Sequence, residues 1–217
     1  TELADAGAEI VVNDLVMSAS DVVVAASWDR ALFHLPAGGP QTATVGPSDR
    51  FNGGWSLATT PAADDVIAAV VADHRFCCEA DGLAYQSGRS FDGGLTWEKV
   101  LHINDDTGVV EVAMEDNGRV MYAAAYQRRR HAWGNLTGGP DSGIYRSMDG
   151  GTTWKKLAGG LPEGILGKIA IAIAKSSPNV VYASIGDQDG GMYRSEDRGE
   201  TWTRVNDLRT SYWYGNI

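Results

Sequence analysis

Ser147-Met-Asp149-Gly-Gly151-Thr-Thr153-Trp154 belongs to a pattern, Ser-x-Asp-x-Gly-x-Thr-Trp, that occurs three times in the 217-residue chain. The other copies are Ser90-Phe-Asp92-Gly-Gly94-Leu-Thr96-Trp97 and Ser195-Glu-Asp197-Arg-Gly199-Glu-Thr201-Trp202. We call each copy a box. Their starts lie 57 and 48 residues apart, so the chain contains an internal repeat, which limits the fold to repeat architectures.

Short apolar runs rich in β-branched and aromatic residues surround each box, and turn residues separate them. Before the last box come Ile169–Ile173, Val180–Ala183 and Gly191–Arg194, and Thr203–Val205 follows it. The same order recurs around the other two boxes, where Gly82–Tyr85 is the predicted third strand of the earlier copy. The N-terminal stretch predicts a fourth copy that lacks the box Asp and Trp. Its four runs are Asp14–Met17, Val22–Ala26, Leu32–Leu35 and Thr42–Val45.

Four short strands in 45 to 60 residues describe the blade of a β-propeller. We therefore predict an all-β chain of about four antiparallel blades, which is expected to be part of a larger propeller. The predicted blades span residues 8–50, 51–105, 106–160 and 161–208. Residues 209–217 are expected to start a further blade or to close the ring.

The box lies between the third and fourth strands, so it is predicted to form a turn. Glycine supplies the positive φ that such a turn needs. The Asp carboxylate and the Ser and Thr hydroxyls can bond to nearby backbone groups. We therefore expect Asp92, Asp149 and Asp197 to be structural rather than catalytic, and the tryptophans to lie between blades.

The box resembles the Asp-box, or bacterial neuraminidase repeat. Residues 127–205 look most similar to bacterial sortilin-like and xyloglucanase-like propellers, through Arg128-Arg-Arg-His-Ala-Trp133, Gly138–Ser147, Gly160–Gly164 and Pro178–Tyr182. The resemblance covers residues 83–217 well and the first 82 residues poorly. It implies a propeller fold and a secreted, periplasmic or cell-surface protein, but the repeat says little about activity.

Binding sites of propellers usually lie on the face opposite the box turns, which is formed by the second-to-third-strand and interblade loops. The longest predicted loop there, Tyr126–Gly143, carries the only basic cluster of the acidic chain. Arginine forks suit anions, and tryptophan can stack on sugars. The alternative is that these arginines pair with acidic side chains and only hold the loop in place. The predicted contact residues are Arg128, Arg129, Arg130, His131 and Trp133, with Trp28, Asp29 and Arg30 in the first such loop.

Two function classes remain open at this point. The favoured one is a non-catalytic binding or scaffold module for a protein partner or an extracellular glycan, either alone or as a subunit of a larger assembly that completes the propeller. The alternative is a sialidase-like or xyloglucanase-like glycoside hydrolase, which needs two suitably placed carboxylates. Glu111, Glu115 and Asp116 are the nearest candidates, although Glu115 and Asp116 are predicted to lie in a turn on the wrong face. An Arg-Ile-Pro segment, usual in sialidases, is absent.

Composition narrows the ligand classes. The formal net charge of −10 argues against nucleic acid and anionic membranes, and no apolar stretch is long enough for a membrane-spanning helix. The two cysteines, Cys77 and Cys78, are adjacent, and we expect them to be free thiols. Together with His74 and Glu79 they match no standard zinc spacing, so the sequence predicts neither a metal site nor a cofactor.

Overall fold

The computed structural model describes residues 12–27, 32–35, 37, 42–43, 53–60, 66–72, 86–104, 106–131, 134–186 and 189–208. These residues form four separate antiparallel sheets. Three of them take their strands in chain order from one edge to the other, and the remaining one follows the same order apart from one additional strand. Among the residues described, no helix is long and apolar enough to cross a membrane. The prediction of an all-β chain built of four-stranded blades is confirmed.

The first two blades are regular four-stranded sheets. Their strands are β1 Val12–Met17, β2 Val23–Ser27, β3 Leu32–Leu35, β4 Thr42–Ala43, β5 Gly53–Thr59, β6 Ile67–Ala72, β7 Gln86–Ser90 and β8 Glu98–Leu101. The third strand of the second blade is described as β7, which ends at the box serine Ser90, and the strand predicted at Gly82–Tyr85 stays a prediction. Gly82–Tyr85 itself lies outside the described residues.

The third blade has one strand more than the others. The strands of the third and fourth blades are β9 Thr107–Met114, β10 Met121–His131, β11 Gly134–Thr137, β12 Gly143–Ser147, β13 Lys155–Lys156, β14 Ile169–Ile173, β15 Val181–Ile185, β16 Gly191–Ser195 and β17 Thr203–Asn206. Residues 126–143 were predicted to be a loop, which is wrong in part. β10 continues to His131 and pairs with β11 as a hairpin that extends beyond the sheet.

The second strands of the two central blades, β6 and the first part of β10, are predominantly apolar, because both of their faces are covered by neighbouring blades. In β6, Ile67 and Ala69 pack with residues of the first blade, whereas Ala68 and Val70 pack with residues of the third. A third apolar core joins the third and fourth blades through residues such as Tyr122 and Ile171. The hydrophobic core is therefore divided into interblade layers, which is the packing expected for a propeller.

One box tryptophan belongs to each layer. Trp97 packs against the core between the first and second blades, Trp154 against the next, and Trp202 is buried in the third. Each indole Nε1 donates to the carbonyl of its own box glycine at 2.9–3.0 Å. That bond satisfies the polar edge of a ring whose remaining surface is packed between two sheets.

Each box is a tight turn closed by the same side-chain bonds. In the second box, the buried Ser147 Oγ accepts from the Gly151 N–H at 2.7 Å and donates to Asp149 Oδ1 at 2.7 Å. The carboxylate of Asp149 also accepts from the backbone and hydroxyl of Thr153 at 2.8 and 2.6 Å. Gly151 has φ +93°, a conformation that other residues rarely adopt.

Candidate functional site

The two faces of the molecule are distinguished by its turns. Box turns bond to the turn between the first two strands of their own blade, as in Gly150 N to Arg119 O at 2.7 Å and Arg198 N to Asn179 O at 2.9 Å. We call this the box face. The β10–β11 hairpin lies at the opposite ends of the strands, which we call the loop face.

The innermost strands β1, β5, β9 and β14 lie side by side in chain order. In the first three, the pairing with the second strand shifts by one residue, next to Asp14, Ser56 and Glu111. Such a bulge changes the direction in which the following side chain points. By their cross-strand partners Ala26, Val70 and Ala124, these three residues occupy equivalent positions in their blades.

Each of these three side chains accepts a hydrogen bond from the innermost strand of the next blade. Asp14 Oδ2 accepts from the Leu57 N–H at 2.7 Å, and Ser56 Oγ accepts from the Val112 N–H at 3.3 Å. The Glu111 carboxylate accepts from the Ile171 N–H. We call this series the inner ladder. At the equivalent position of the fourth blade stands Ala170, which has no side-chain acceptor.

The two carboxylates of the inner ladder lie in a poorly solvated environment. Burial raises the pKa of Glu111 to about 7, against opposing effects of the Ile171 hydrogen bond and of Lys168. Burial likewise raises the pKa of Asp14. The charge of Asp14 adds to the upward shift at Glu111, so the two groups influence each other across the second blade.

Basic side chains lie near Glu111. Burial lowers the pKa of the Lys168 ammonium, Glu111 opposes that shift, and Arg128 adds to it because its charge has the same sign. Lys168 directly precedes β14, and its carbonyl accepts from the Gly186 N–H at 2.8 Å. Arg128 is half-buried and lies opposite Thr137 in the hairpin. A carboxyl group with a raised pKa and two cations are thus within electrostatic range of one another.

The base of the hairpin is bonded to both neighbouring blades. Gly138 N donates to Gln127 O at 2.9 Å, and Gly139 N donates to Leu166 O, which precedes the fourth blade, at 3.3 Å. From the second blade side, Asn104 Nδ2 donates to Asp141 Oδ2 at 2.9 Å. A Cβ on Gly138 would approach the Leu166 carbonyl oxygen to 2.6 Å, so this close approach requires glycine.

The structure describes only some of the predicted contact residues. Arg128 lies near Lys168, whereas Arg129, Arg130 and His131 occupy successive positions of the hairpin opposite Leu136, Asn135 and Gly134. The remaining predicted contact residues lie outside the described part of the chain: Trp28, Asp29, Arg30 and Trp133. The vicinal cysteines Cys77 and Cys78 also lie outside it.

The other proposed carboxylates have structural surroundings. Glu115 is 3 % exposed and accepts from Arg198 of the fourth blade at 2.9 and 3.3 Å. The backbone carbonyl of Asp116 accepts a short hydrogen bond from the Thr60 hydroxyl. Both residues lie on the box face, in the turn after β9, which leaves Glu111 as the one candidate of the three that reaches the inner ladder. Within the described ranges, no group of three or more His, Cys, Asp or Glu side chains is arranged to hold a metal ion.

Sequence reasoning missed Asp14 and Lys168. Asp14 was assigned only to a strand, and Lys168 is a single lysine before an apolar run. The signal that could have found Asp14 is a charged residue in the innermost strand of a repeat, at the position that Glu111 occupies two blades later.

Solved structures with a similar backbone fold include GH74 enzymes. The GH74 xyloglucanase from Xanthomonas campestris matches 89 % of this chain with a TM-score of 0.60 and 18 % identity. An ancestral GH74 enzyme matches 89 % with a TM-score of 0.63 and 20 % identity, and the GH74 enzyme of Niastella koreensis matches 90 % with 0.59 and 14 %. The fold is that of a β-propeller. The propeller region seen here spans only 30 %, 24 % and 29 % of the three chains, respectively. No protein-family model matches the sequence, and no curated protein does.

Proposed function

We propose that this chain is a non-catalytic β-propeller module that binds a glycan outside the cytoplasm. The observation that carries the proposal is the inner ladder, in which Asp14 and Glu111 already serve as acceptors for the neighbouring blade. The box aspartates are likewise engaged within their turns. The described carboxylates of the inner strands and boxes therefore have structural partners, and the basic hairpin provides the contact surface.

The ligand class follows from the chemistry of the loop face. Arg128 and Lys168 offer several N–H donors beside the inner strands, and polar donors of this kind suit the hydroxyl and carboxyl groups of sugars. The backbone likeness to GH74 enzymes supports a carbohydrate ligand, and the three boxes support membership of the Asp-box propellers, of the sortilin-like or xyloglucanase-like kind. A protein partner on the same face is the other ligand class that the hairpin would suit.

The test is direct binding to a panel of neutral and acidic polysaccharides, xyloglucan included, followed by titration of any ligand found. Lys168→Ala and Arg128→Ala are each expected to weaken binding about tenfold, the loss of one hydrogen bond to a charged group. Arg119→Ala is the matched control, because Arg119 is exposed on the box face. Absence of binding to every glycan, or equal weakening by the control, would contradict the proposal.

A glycoside hydrolase is the second candidate, favoured by the raised pKa values of Asp14 and Glu111. A carboxyl group with a pKa near 7 can act as a general acid at neutral pH, and hydrolysis needs a second carboxylate nearby. The test is release of reducing sugar from xyloglucan and other β-glucans between pH 5 and 8. Activity that disappears in Glu111→Gln, while glycan binding persists, would establish the enzyme and overturn the non-catalytic assignment.

A further inference from the structure

An arginine directly precedes the serine of every box and, in the second and third blades, contacts the next blade. Arg89 Nη1 donates to the carbonyl of Gly150, and Arg146 Nη1 donates to the carbonyl of Arg198 at 2.6 Å. Gly150 and Arg198 occupy the same box position, between the Asp and the Gly. The same contact, from an arginine to the backbone of the neighbouring box, therefore occurs at two successive blade junctions.

The third blade adds a tyrosine to this contact. Tyr122 lies opposite Arg146 in the strand register, is fully buried, and donates its hydroxyl to the same Arg198 carbonyl at 3.2 Å. Two donors thus converge on one backbone oxygen. We call Tyr122 and Arg146 the carbonyl clamp. Because it binds a main-chain atom, the clamp requires the turn conformation of the box rather than a particular side chain there.

The fourth blade carries the same two residues in the same register, Tyr182 opposite Arg194. Here the two side chains bond to each other, with Arg194 Nε donating to Tyr182 Oη at 3.1 Å, and Arg194 also pairs with Glu196 of its own blade. The side chain of Arg194 is 34 % exposed, whereas that of Arg146 is 8 % exposed. The pair therefore has the same composition and register as the carbonyl clamp, but its hydrogen bonds stay within the blade.

We propose that Tyr182 and Arg194 form the docking site for a further blade of the same ring, whose box turn presents its backbone carbonyl to both donors. The two arginine contacts at the earlier junctions define the chemistry of the occupant, which is a Ser-x-Asp-x-Gly-x-Thr-Trp turn. The junction that contains the carbonyl clamp adds a carboxylate after the box glycine, Glu200, as a further partner of Arg146. The inference is independent of the proposed glycan binding.

The experiment duplicates residues 161–208 in tandem within the full chain, so that the copy follows Leu208 and brings a box turn next to the fourth blade. Arg194→Ala and Tyr182→Phe are made in the 217-residue chain and in the duplicated chain. In the duplicated chain, the substitution is made in the first copy of residues 161–208, which faces the added blade. Arg146→Ala in both chains is the matched control for a filled clamp. The measurement is the denaturant midpoint of unfolding, with circular dichroism to show that the added blade is folded.

Arg194→Ala is expected to leave the midpoint nearly unchanged in the 217-residue chain. In the duplicated chain it is expected to lower the midpoint by as much as Arg146→Ala does, with a smaller shift for Tyr182→Phe. A folded duplicated chain whose denaturant midpoint is unchanged by Arg194→Ala would overturn the proposal. An added blade that does not fold would overturn it as well. Concentration-dependent dimerisation of the 217-residue chain that Arg194→Ala abolishes would also overturn it, because the occupant would then be a second copy.

Discussion

Arg198 of the third box donates two hydrogen bonds to the buried carboxylate of Glu115 in the neighbouring blade, at 2.9 and 3.3 Å. Its backbone has φ +58°, whereas glycine occupies this box position at Gly93 and Gly150 with φ +70° and +69°. A non-glycine residue in this region is strained. The ion pair with Glu115 offsets that strain.

Arg198→Gly tests this balance. Relief of backbone strain is worth about 1 kcal/mol, whereas a buried carboxylate that loses its partner costs about 3–5 kcal/mol. Because the Arg198 side chain is 37 % exposed, the lower end applies, and we expect a net loss of about 2 kcal/mol in the free energy of unfolding.

The double variant Arg198→Gly/Glu115→Gln removes the unpaired charge as well. It is expected to recover most of the lost stability in equilibrium denaturation. A single variant as stable as the parent chain would show that the ion pair contributes no more than the backbone strain that it offsets.

Stability is expected to depend on pH through Glu111. Its pKa is about 7 in the folded protein and 4.5 when unperturbed, so between these values the folded state holds the proton more tightly. Stability is therefore fully present below about pH 4.5 and declines as the pH rises towards and through 7. Glu111→Gln keeps an oxygen acceptor for the Ile171 N–H and cannot ionise.

At pH 8 we expect Glu111→Gln to be more stable than the parent chain by about 1–3 kcal/mol, with little difference at pH 4.5. The free energy of unfolding measured across this range checks the prediction. Glu163→Gln, at an exposed position, is the matched control. If the free energy of unfolding of Glu111→Gln depends on pH as steeply as that of the parent chain, another group is responsible for the dependence.

The box aspartates are expected to have the opposite effect to Glu111, because they stabilise the fold at neutral pH and lose that contribution in acid. Hydrogen bonds from Thr153 and Ser147 lower the pKa of Asp149 to about 2, and Asp197 is held at about 2 in the same way by Thr201 and Ser195. A lowered pKa gives stability that is present above the ordinary value near 3.8 and lost as the pH falls towards 2. Denaturation midpoints should therefore drop between pH 4 and 2. Asp149→Asn should reduce this drop, and an unchanged acid profile would contradict the prediction.

Ser147→Ala tests the turn without changing a charge. Ser147 is fully buried, and its hydroxyl is the acceptor for the Gly151 N–H, so alanine leaves that buried donor unsatisfied. We expect a loss of about 1–3 kcal/mol in the free energy of unfolding. Ser176→Ala, at an exposed position between strands, provides the comparison and should be close to neutral. Equal effects of the two substitutions would argue against this role of the serine.

The sequence was sufficient for the features that depend on neighbouring residues in the chain. The boxes and most strands are encoded locally by glycine, by turn-forming side chains and by β-branched runs. Ser87 and Gly88 give β7 no apolar pattern, and the basic residues at the end of β10 give no strand signal, so neither segment is encoded as a strand by its local sequence. The grouping of Asp14, Glu111 and Lys168 depends on the packing of one blade on the next, which no local pattern records.

Arg89 and Arg146 recognise the next blade through a backbone carbonyl, an atom that every residue carries. The contact does not depend on the side chain at that box position, which is glycine in one blade and arginine in the next. This contact therefore requires no matching side chain in the neighbouring box. A gene that copies one blade gains a unit that already fits its neighbour, so blade number can change by duplication while the surface loops diverge separately.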